Sequence, residues 1–243
     1  MGHGGQGSGK LSQVSVALRA CLSVLLLMIF TQTHAVESTC YGTYSNGRLE
    51  NAVSLQEDGK NFSAYSTLGV KLGRTYVHSR VAEIVEETYR VLEKSAPNKL
   101  YVYGETGWAA GGRIRPHRTH RNGLSVDFMV PVLDASGQSV PLPASAGNQF
   151  GYAIDFDADG KYGGYSIDFS AMAEHLYQLH LIAKQHGADI SLVILDPPYI
   201  AKLLSAGHGE YLKQNISFMM GKAWVRHDEH YHVNFAIPCE PMK

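Results

Sequence analysis

Cysteine, charge and long apolar runs are all scarce in this sequence. Three cysteines occur in 243 residues. They form no paired Cys-x-x-Cys motif, so neither a thiolate zinc module nor a disulfide-dense small scaffold is expected. Charged residues make up 18% of the chain and the formal net charge is −1. Nucleic-acid binding in general needs a cationic surplus to neutralise phosphates, so no nucleic-acid partner is expected. No apolar run reaches the roughly 18 residues of a membrane-spanning helix. Internal repeats, low-complexity tracts, long linkers and Walker or dinucleotide glycine patterns are missing, and so is a His-Glu-x-x-His helix. Hydrophobic residues are plentiful at 44%, with 25 glycines, 14 tyrosines and 12 histidines. This composition excludes a disordered, collagenous or coiled-coil chain and fits a loop-rich globular one.

Residues 1–35 read as a cleaved secretory signal. Lys10 and Arg19 supply the positive segment, Ala20–Phe30 the short apolar segment, and Ala35 a small residue at the cleavage point. Residues 36–243 then form a single domain, with no stable membrane insertion after cleavage. Oligomeric state is not legible. Cleavage leaves Cys40 and Cys239, one near each end, and in an oxidising compartment they read as one disulfide.

Residues 36–70 read as irregular. Val77, Val81, Ile84, Val85, Thr88 and Leu92 recur at helical spacing, which predicts a helix over Thr75–Lys94, stopped by Pro97. Leu100–Tyr103 reads as a short strand and Gly104–Arg118 as a loop with four glycines, of which Gly104–Arg113 reads as a flexible cleft wall. Leu124–Val130 alternates, with Leu124, Val126, Phe128 and Val130 on one face and Asp127 on the other. Residues 131–168 read as turns and hairpins. Ser170–His186 is a second helix ended by Gly187. Ile190–Leu195 is a buried strand, Tyr199–Leu204 and Tyr211–Phe218 are short helices, and His230–Ile237 is the last strand. Strands and helices do not alternate regularly. The fold class is therefore α+β, a small mainly antiparallel sheet flanked by helices and long loops.

Five of the 12 histidines fall in two short segments, His117–Asp127 and His227–His232. His230 and His232 stand two apart on a strand and so project to one face. If that strand lies beside the one carrying Asp127, the three side chains meet, with His120 at the lip of the preceding loop. Imidazole and carboxylate suit Zn²⁺, and a set of two histidines and one aspartate leaves a fourth tetrahedral position for water, as catalytic zinc sites do. With no glutamate of a His-Glu-x-x-His helix, an extra histidine is the natural proton acceptor.

The pattern His117-x-x-His120-x-x-Gly-Leu-x-Val-Asp127, followed by His227-x-x-His230-x-His232-Val, resembles the penicillin-insensitive murein endopeptidase family. This family belongs to a wider group of lysostaphin-like, D-Ala-D-Ala and hedgehog-type zinc folds, and the likeness extends over roughly residues 40–239. It implies one zinc ion held by His120, Asp127 and His232. His230 is implied as the catalytic base or electrostatic stabiliser, His227 as a further active-site histidine, and His117 as a rim residue. The implied substrate is peptidoglycan, cut at the D-alanyl–meso-diaminopimelate cross-link between stem peptides, and the implied compartment is the periplasm. A D-Ala-D-Ala dipeptidase or carboxypeptidase, or a non-catalytic hedgehog-type zinc domain, is the alternative.

The remaining motifs are weaker. His78, His175, His180, His186 and His208 read as structural. Asp155-x-Asp157-x-Asp159-Gly160 opens like a calcium loop, but Ser166 stands where a bidentate glutamate is needed, so a hairpin turn is expected. Tyr103, Trp108 and Trp224 are candidate cleft walls. Arg113, Arg115, Arg118 and Arg226 flank the histidines and could steer carboxylate-rich peptides. Glu105 receives no role.

Overall fold

The computed structural model describes residues 1–2, 36–221 and 223–242. Apart from its first two residues, the expected signal segment lies outside the described residues. The centre of the fold is a five-stranded sheet in the order Asp189–Ile194, His230–Ala236, Ser125–Met129, Tyr101–Tyr103, Phe62–Ala64. Its pairings are antiparallel except for the outer one, where Phe62–Ala64 runs parallel to Tyr101–Tyr103. The expected α+β class holds.

The two middle strands are buried on both faces, and their alternation sorts the chemistry. Val126 and Phe128, with Tyr231, Val233 and Phe235, belong to the hydrophobic core. Two helices cover this side. Ser79–Ser95 sends Tyr89 into a stack on Phe62, ring centroids 4.3 Å apart. Phe169–Gln185 sends His175 against Phe128 and Tyr231. Asp168 caps the second helix, its carboxylate accepting from Ala171 N–H at 3.0 Å, and its other oxygen accepts from Lys99 Nζ at 2.6 Å.

The structure moves several predicted boundaries. The helix predicted from Thr75 begins at Ser79, because Tyr76–Val77 pairs with Val53–Ser54 as a strand and His78 caps the helix by accepting Arg80 N–H. Helical spacing could not separate these residues, since Val77 is buried in either conformation. Residues 36–70 are not wholly irregular. They hold the hairpin Thr39–Thr43/Asn46–Glu50 and a short helix Thr67–Lys71, capped by Ser66. The helix expected from Tyr199 starts at Pro197, where two prolines fit a helix N-terminus. Gly209–Asn215 is helical, so the helix expected over Tyr211–Phe218 stops early.

Cys40, in the first hairpin, and Cys239, just past the last strand, form a disulfide. No helix among the described residues is long and apolar enough to cross a membrane.

Candidate metal centre

Register decides which polar side chains meet. His232 lies directly opposite Asp127, His230 opposite Met129 and Asn234 opposite Ser125. Facing residues of an antiparallel pair project to the same side, so Ser125, Asp127, His230, His232 and Asn234 share the face turned away from the two helices. His232 Nδ1 lies 2.8 Å from Asp127 Oδ1, and its Nε2 lies 2.8 Å from Asn234 Oδ1. That amide oxygen also accepts from Ser125 Oγ at 2.6 Å. An amide oxygen only accepts, so Nε2 carries a hydrogen and Nδ1 is the nitrogen turned toward Asp127.

The loop before the Ser125–Met129 strand brings two more imidazoles. His120 adopts a left-handed conformation, φ +68°, unusual for a residue with a side chain. This turns the ring into the protein, where it is fully buried. Its Nδ1–H donates to the Thr106 carbonyl at 2.9 Å. Its Nε2 has no hydrogen-bond partner and lies 3.2 Å from Asp127 Oδ1. His117 donates Nε2–H to Glu105 at 2.7 Å and places Nδ1 3.5 Å from Asp127 Oδ2. Glu105 is itself fixed by two hydrogen bonds of 2.6 Å from Arg74 and one of 2.9 Å from Tyr65.

Three imidazoles therefore have one nitrogen committed to an acceptor-only oxygen and the other turned to one carboxylate. Lone pairs facing a carboxylate repel unless a proton or a cation lies between them. Burial pushes the His120 pKa down to about 4, so no proton resides on its Nε2 near neutral pH. Burial alone would lower His117 too, but its bond to Glu105 and the charge of Asp127 raise it. Imidazoles that donate their second N–H to a carboxylate, carbonyl or amide oxygen are the usual metal-ligating arrangement. Ligand atoms of His117, His120 and Asp127 all lie within 4.8 Å of one another, and this group could hold a metal ion. The donors are nitrogen and oxygen without thiolate, which suits Zn²⁺ among other divalent ions.

A cavity of about 580 Å³ opens beside this cluster, its lining including Tyr152, Trp224, His227 and His230. His230 Nε2 is 3.8 Å from Asp127 Oδ2, and its Nδ1 is 2.7 Å from Glu229 Oε1. His227 donates Nδ1–H to the Val225 carbonyl at 2.9 Å, and the His227 and His230 ring centroids are 4.6 Å apart. Burial pushes both imidazoles down to about 4 and Glu229 up to about 8. Burial, followed by the neighbouring Glu229 charge, raises Asp228 to about 7. The Tyr152 hydroxyl lies 3.1 Å from Asp127 Oδ2 and accepts Glu105 N–H at 2.7 Å.

Of the six residues singled out from the two motifs, His117, His227, His230 and His232 line the cavity, and buried His120 and Asp127 adjoin them. Other expectations fare differently. Tyr103 is a core residue whose hydroxyl donates to the Gln56 carbonyl, so it is not a cleft wall. Arg226 is engaged by Asp155, Asp196 and the Phe156 carbonyl, which leaves its charge largely spent within the protein. The three aspartates of the calcium-like loop diverge. Asp157 accepts from the backbone N–H groups of Asp159 and Lys161, Asp155 pairs with Arg226, and Asp159 pairs with Lys202. Tyr152, Glu229 and Asn234 escaped the sequence reading, and Glu105 had been given no role. Only the adjacency of Glu229 to His230 offered a local signal.

Residues 40–153 match the family model described as penicillin-insensitive murein endopeptidase. The matched span contains His117, His120, Asp127 and Tyr152, while His227–His232 lies beyond it. No curated protein matches the chain in sequence.

Proposed function

Because residues 40–153 match the family model of the penicillin-insensitive murein endopeptidases, we propose that the chain is a periplasmic zinc-dependent peptidase of that family. On this reading it hydrolyses the D-alanyl–meso-diaminopimelate cross-links of peptidoglycan. The observation that carries the proposal is the convergence of imidazole lone pairs on buried Asp127 at the wall of a cavity. His120 Nε2, Asp127 Oδ1 and His232 Nδ1 would hold the ion. His117 Nδ1, beside the other Asp127 oxygen, would stay at the rim facing substrate.

A zinc ion held there would supply Lewis acidity, the chemistry that lowers the pKa of water toward about 7 and polarises an amide carbonyl. The residues of this chain then manage the protons. Ionised Glu229 accepts His230 Nδ1–H and leaves Nε2 as a base facing the cavity. Protonated Glu229 donates to Nδ1 instead, and Nε2–H becomes a hydrogen-bond donor to an oxyanion. Glu229 therefore selects between the two roles open to His230. His227, with Nδ1 tied to Val225, has Nε2 free only as an acceptor. This suits proton transfer more than oxyanion donation. Asp127 remains a pure acceptor throughout. Burial of the whole set strengthens each charge interaction there.

Purified chain incubated with cross-linked muropeptide dimers, with and without chelator, tests the proposal. Conversion of dimer to monomer that stops on chelation is the expected result. Release of terminal D-alanine alone would reassign the chain to carboxypeptidase or dipeptidase chemistry. No product with metal-loaded protein would overturn the enzymatic reading.

A further inference from the structure

We propose that Tyr152 is a positioning residue for the metal centre: its hydroxyl clamps Asp127 Oδ2, so that Oδ1 is the oxygen held toward His120 and His232. The inference rests on reading this cluster as a metal site. Glu105 N–H donates to the phenolic oxygen at 2.7 Å. The hydroxyl hydrogen is thereby free for Asp127 Oδ2, an acceptor, at 3.1 Å. Asp127 Oδ1 is left with His232 Nδ1 at 2.8 Å and His120 Nε2 at 3.2 Å. Rotation about the terminal torsion of an aspartate is soft. Without the clamp the carboxylate can turn and present both oxygens, or neither, to an ion.

The surroundings are built to deliver this hydroxyl. The turn before it is organised by Asn148, whose Oδ1 accepts from Ser145 N at 2.7 Å and Gly151 N at 3.0 Å, and whose Nδ2 donates to the Pro143 carbonyl at 2.8 Å. Gln149 and Phe150 adopt left-handed conformations, φ +53° and +57°, uncommon for residues with side chains. The Tyr152 ring packs edge-on against Tyr65, His117 and His230, with centroids 5.8, 5.7 and 5.1 Å away. Gly104 supplies the space. A Cβ there would stand 2.5 Å from the Tyr152 hydroxyl and 3.0 Å from Asp127 Cβ. The closest clash of a side chain at position 104 would be with the Tyr152 hydroxyl, and the next with Asp127 itself.

Zn²⁺ affinity by chelator competition, and the visible spectrum of the Co²⁺-loaded protein, test the assignment in wild type, Tyr152→Phe, Gly104→Ala and the double variant. Loss of a partner of a ligating carboxylate typically weakens metal affinity about 10- to 100-fold. Tyr152→Phe should show that loss together with altered Co²⁺ bands. Gly104→Ala should do the same in wild type and add less in the Tyr152→Phe background, because residues that share an interaction are not additive. Tyr152→Phe affinity within about twofold of wild type with unchanged bands would overturn the clamp. Failure of the wild type itself to bind metal would overturn the metal reading on which it rests.

Discussion

Acid is expected to weaken the metal-free fold through one buried imidazole, His175. This residue lies on the Phe169–Gln185 helix with no exposed surface. Four rings surround it, from Phe128 at 4.7 Å between centroids to Tyr231 at 5.8 Å, with Tyr101 and Tyr89 between. Its Nδ1 pairs with the Tyr231 hydroxyl at 2.9 Å, and its Nε2 has no partner. No carboxylate compensates a charge there, so burial pushes its pKa down to about 3. An unfolded chain would bind the proton near pH 6.5. Between pH 6.5 and 3 the unfolded state therefore holds more protons than the folded one, and stability falls as pH falls. The loss is about 1.4 kcal/mol per pH unit across that window. From this group alone it reaches about 2 kcal/mol at pH 5 and about 3 kcal/mol at pH 4, against a total of roughly 5–15 kcal/mol for an ordinary domain. The strand carrying Tyr231 also carries His230 and His232, so the floor of the metal centre is undermined from behind.

Urea unfolding of chelated protein at pH 7, 5 and 4 gives the measurement, with His175→Gln as comparison. Glutamine does not titrate, has similar volume and can still pair with Tyr231. Its constant offset at pH 7 is immaterial, because the quantity of interest is the difference in pH dependence. That difference isolates His175 from the other histidines, which both proteins share. Wild type should lose about 2 kcal/mol more than His175→Gln between pH 7 and pH 5. Parallel pH dependences would refute the reasoning, since the folded protein would then be accommodating the charged ring at no cost.

Further expectations follow from the disulfide and the His230 pair. Reducing Cys40–Cys239 opens a link spanning 199 residues, a constraint worth up to about 5 kcal/mol in the chain-entropy model. The melting temperature should drop by roughly 10 °C or more, read by thermal scans with and without reductant, and an unchanged melt would show that the bridge does not constrain the unfolded chain. Glu229→Gln keeps the hydrogen bond to His230 but fixes the partner as neutral. It should lower kcat for muropeptide cleavage above about pH 8, where wild-type Glu229 is ionised, while leaving zinc content intact; wild-type turnover there would dismiss Glu229 as the selector of the His230 tautomer.

Much of the fold was legible because it rests on local patterns. Helical spacing from Val81 to Leu92 located one helix, and Gly187 marked the end of another. The alternation of Leu124, Val126 and Phe128 announced a strand with Asp127 on its opposite face. Boundaries were lost where two conformations bury the same residue, as at Val77. The hairpin near Cys40 was missed because its short strands lack a clear alternating pattern. The polar role of Tyr152 was invisible for another reason. It sits in a turn whose left-handed residues, Gln149 and Phe150, are not ones that sequence marks for that conformation.

The sequence by itself determined the chemistry available: five histidines and an aspartate in two segments, with side chains alternating at a period of two, so that His230 and His232 had to share a face. It could not determine that His232 would stand opposite Asp127. Strand register is set by contacts far apart in the chain, and a slip of one residue would have sent the aspartate and the imidazoles to opposite sides. Only the tertiary structure decided which nitrogen of each ring was left free. Glu105, Thr106 and Asn234 make that choice by accepting the other one, and an acceptor placed by folding leaves no mark in the spacing of the histidines it controls.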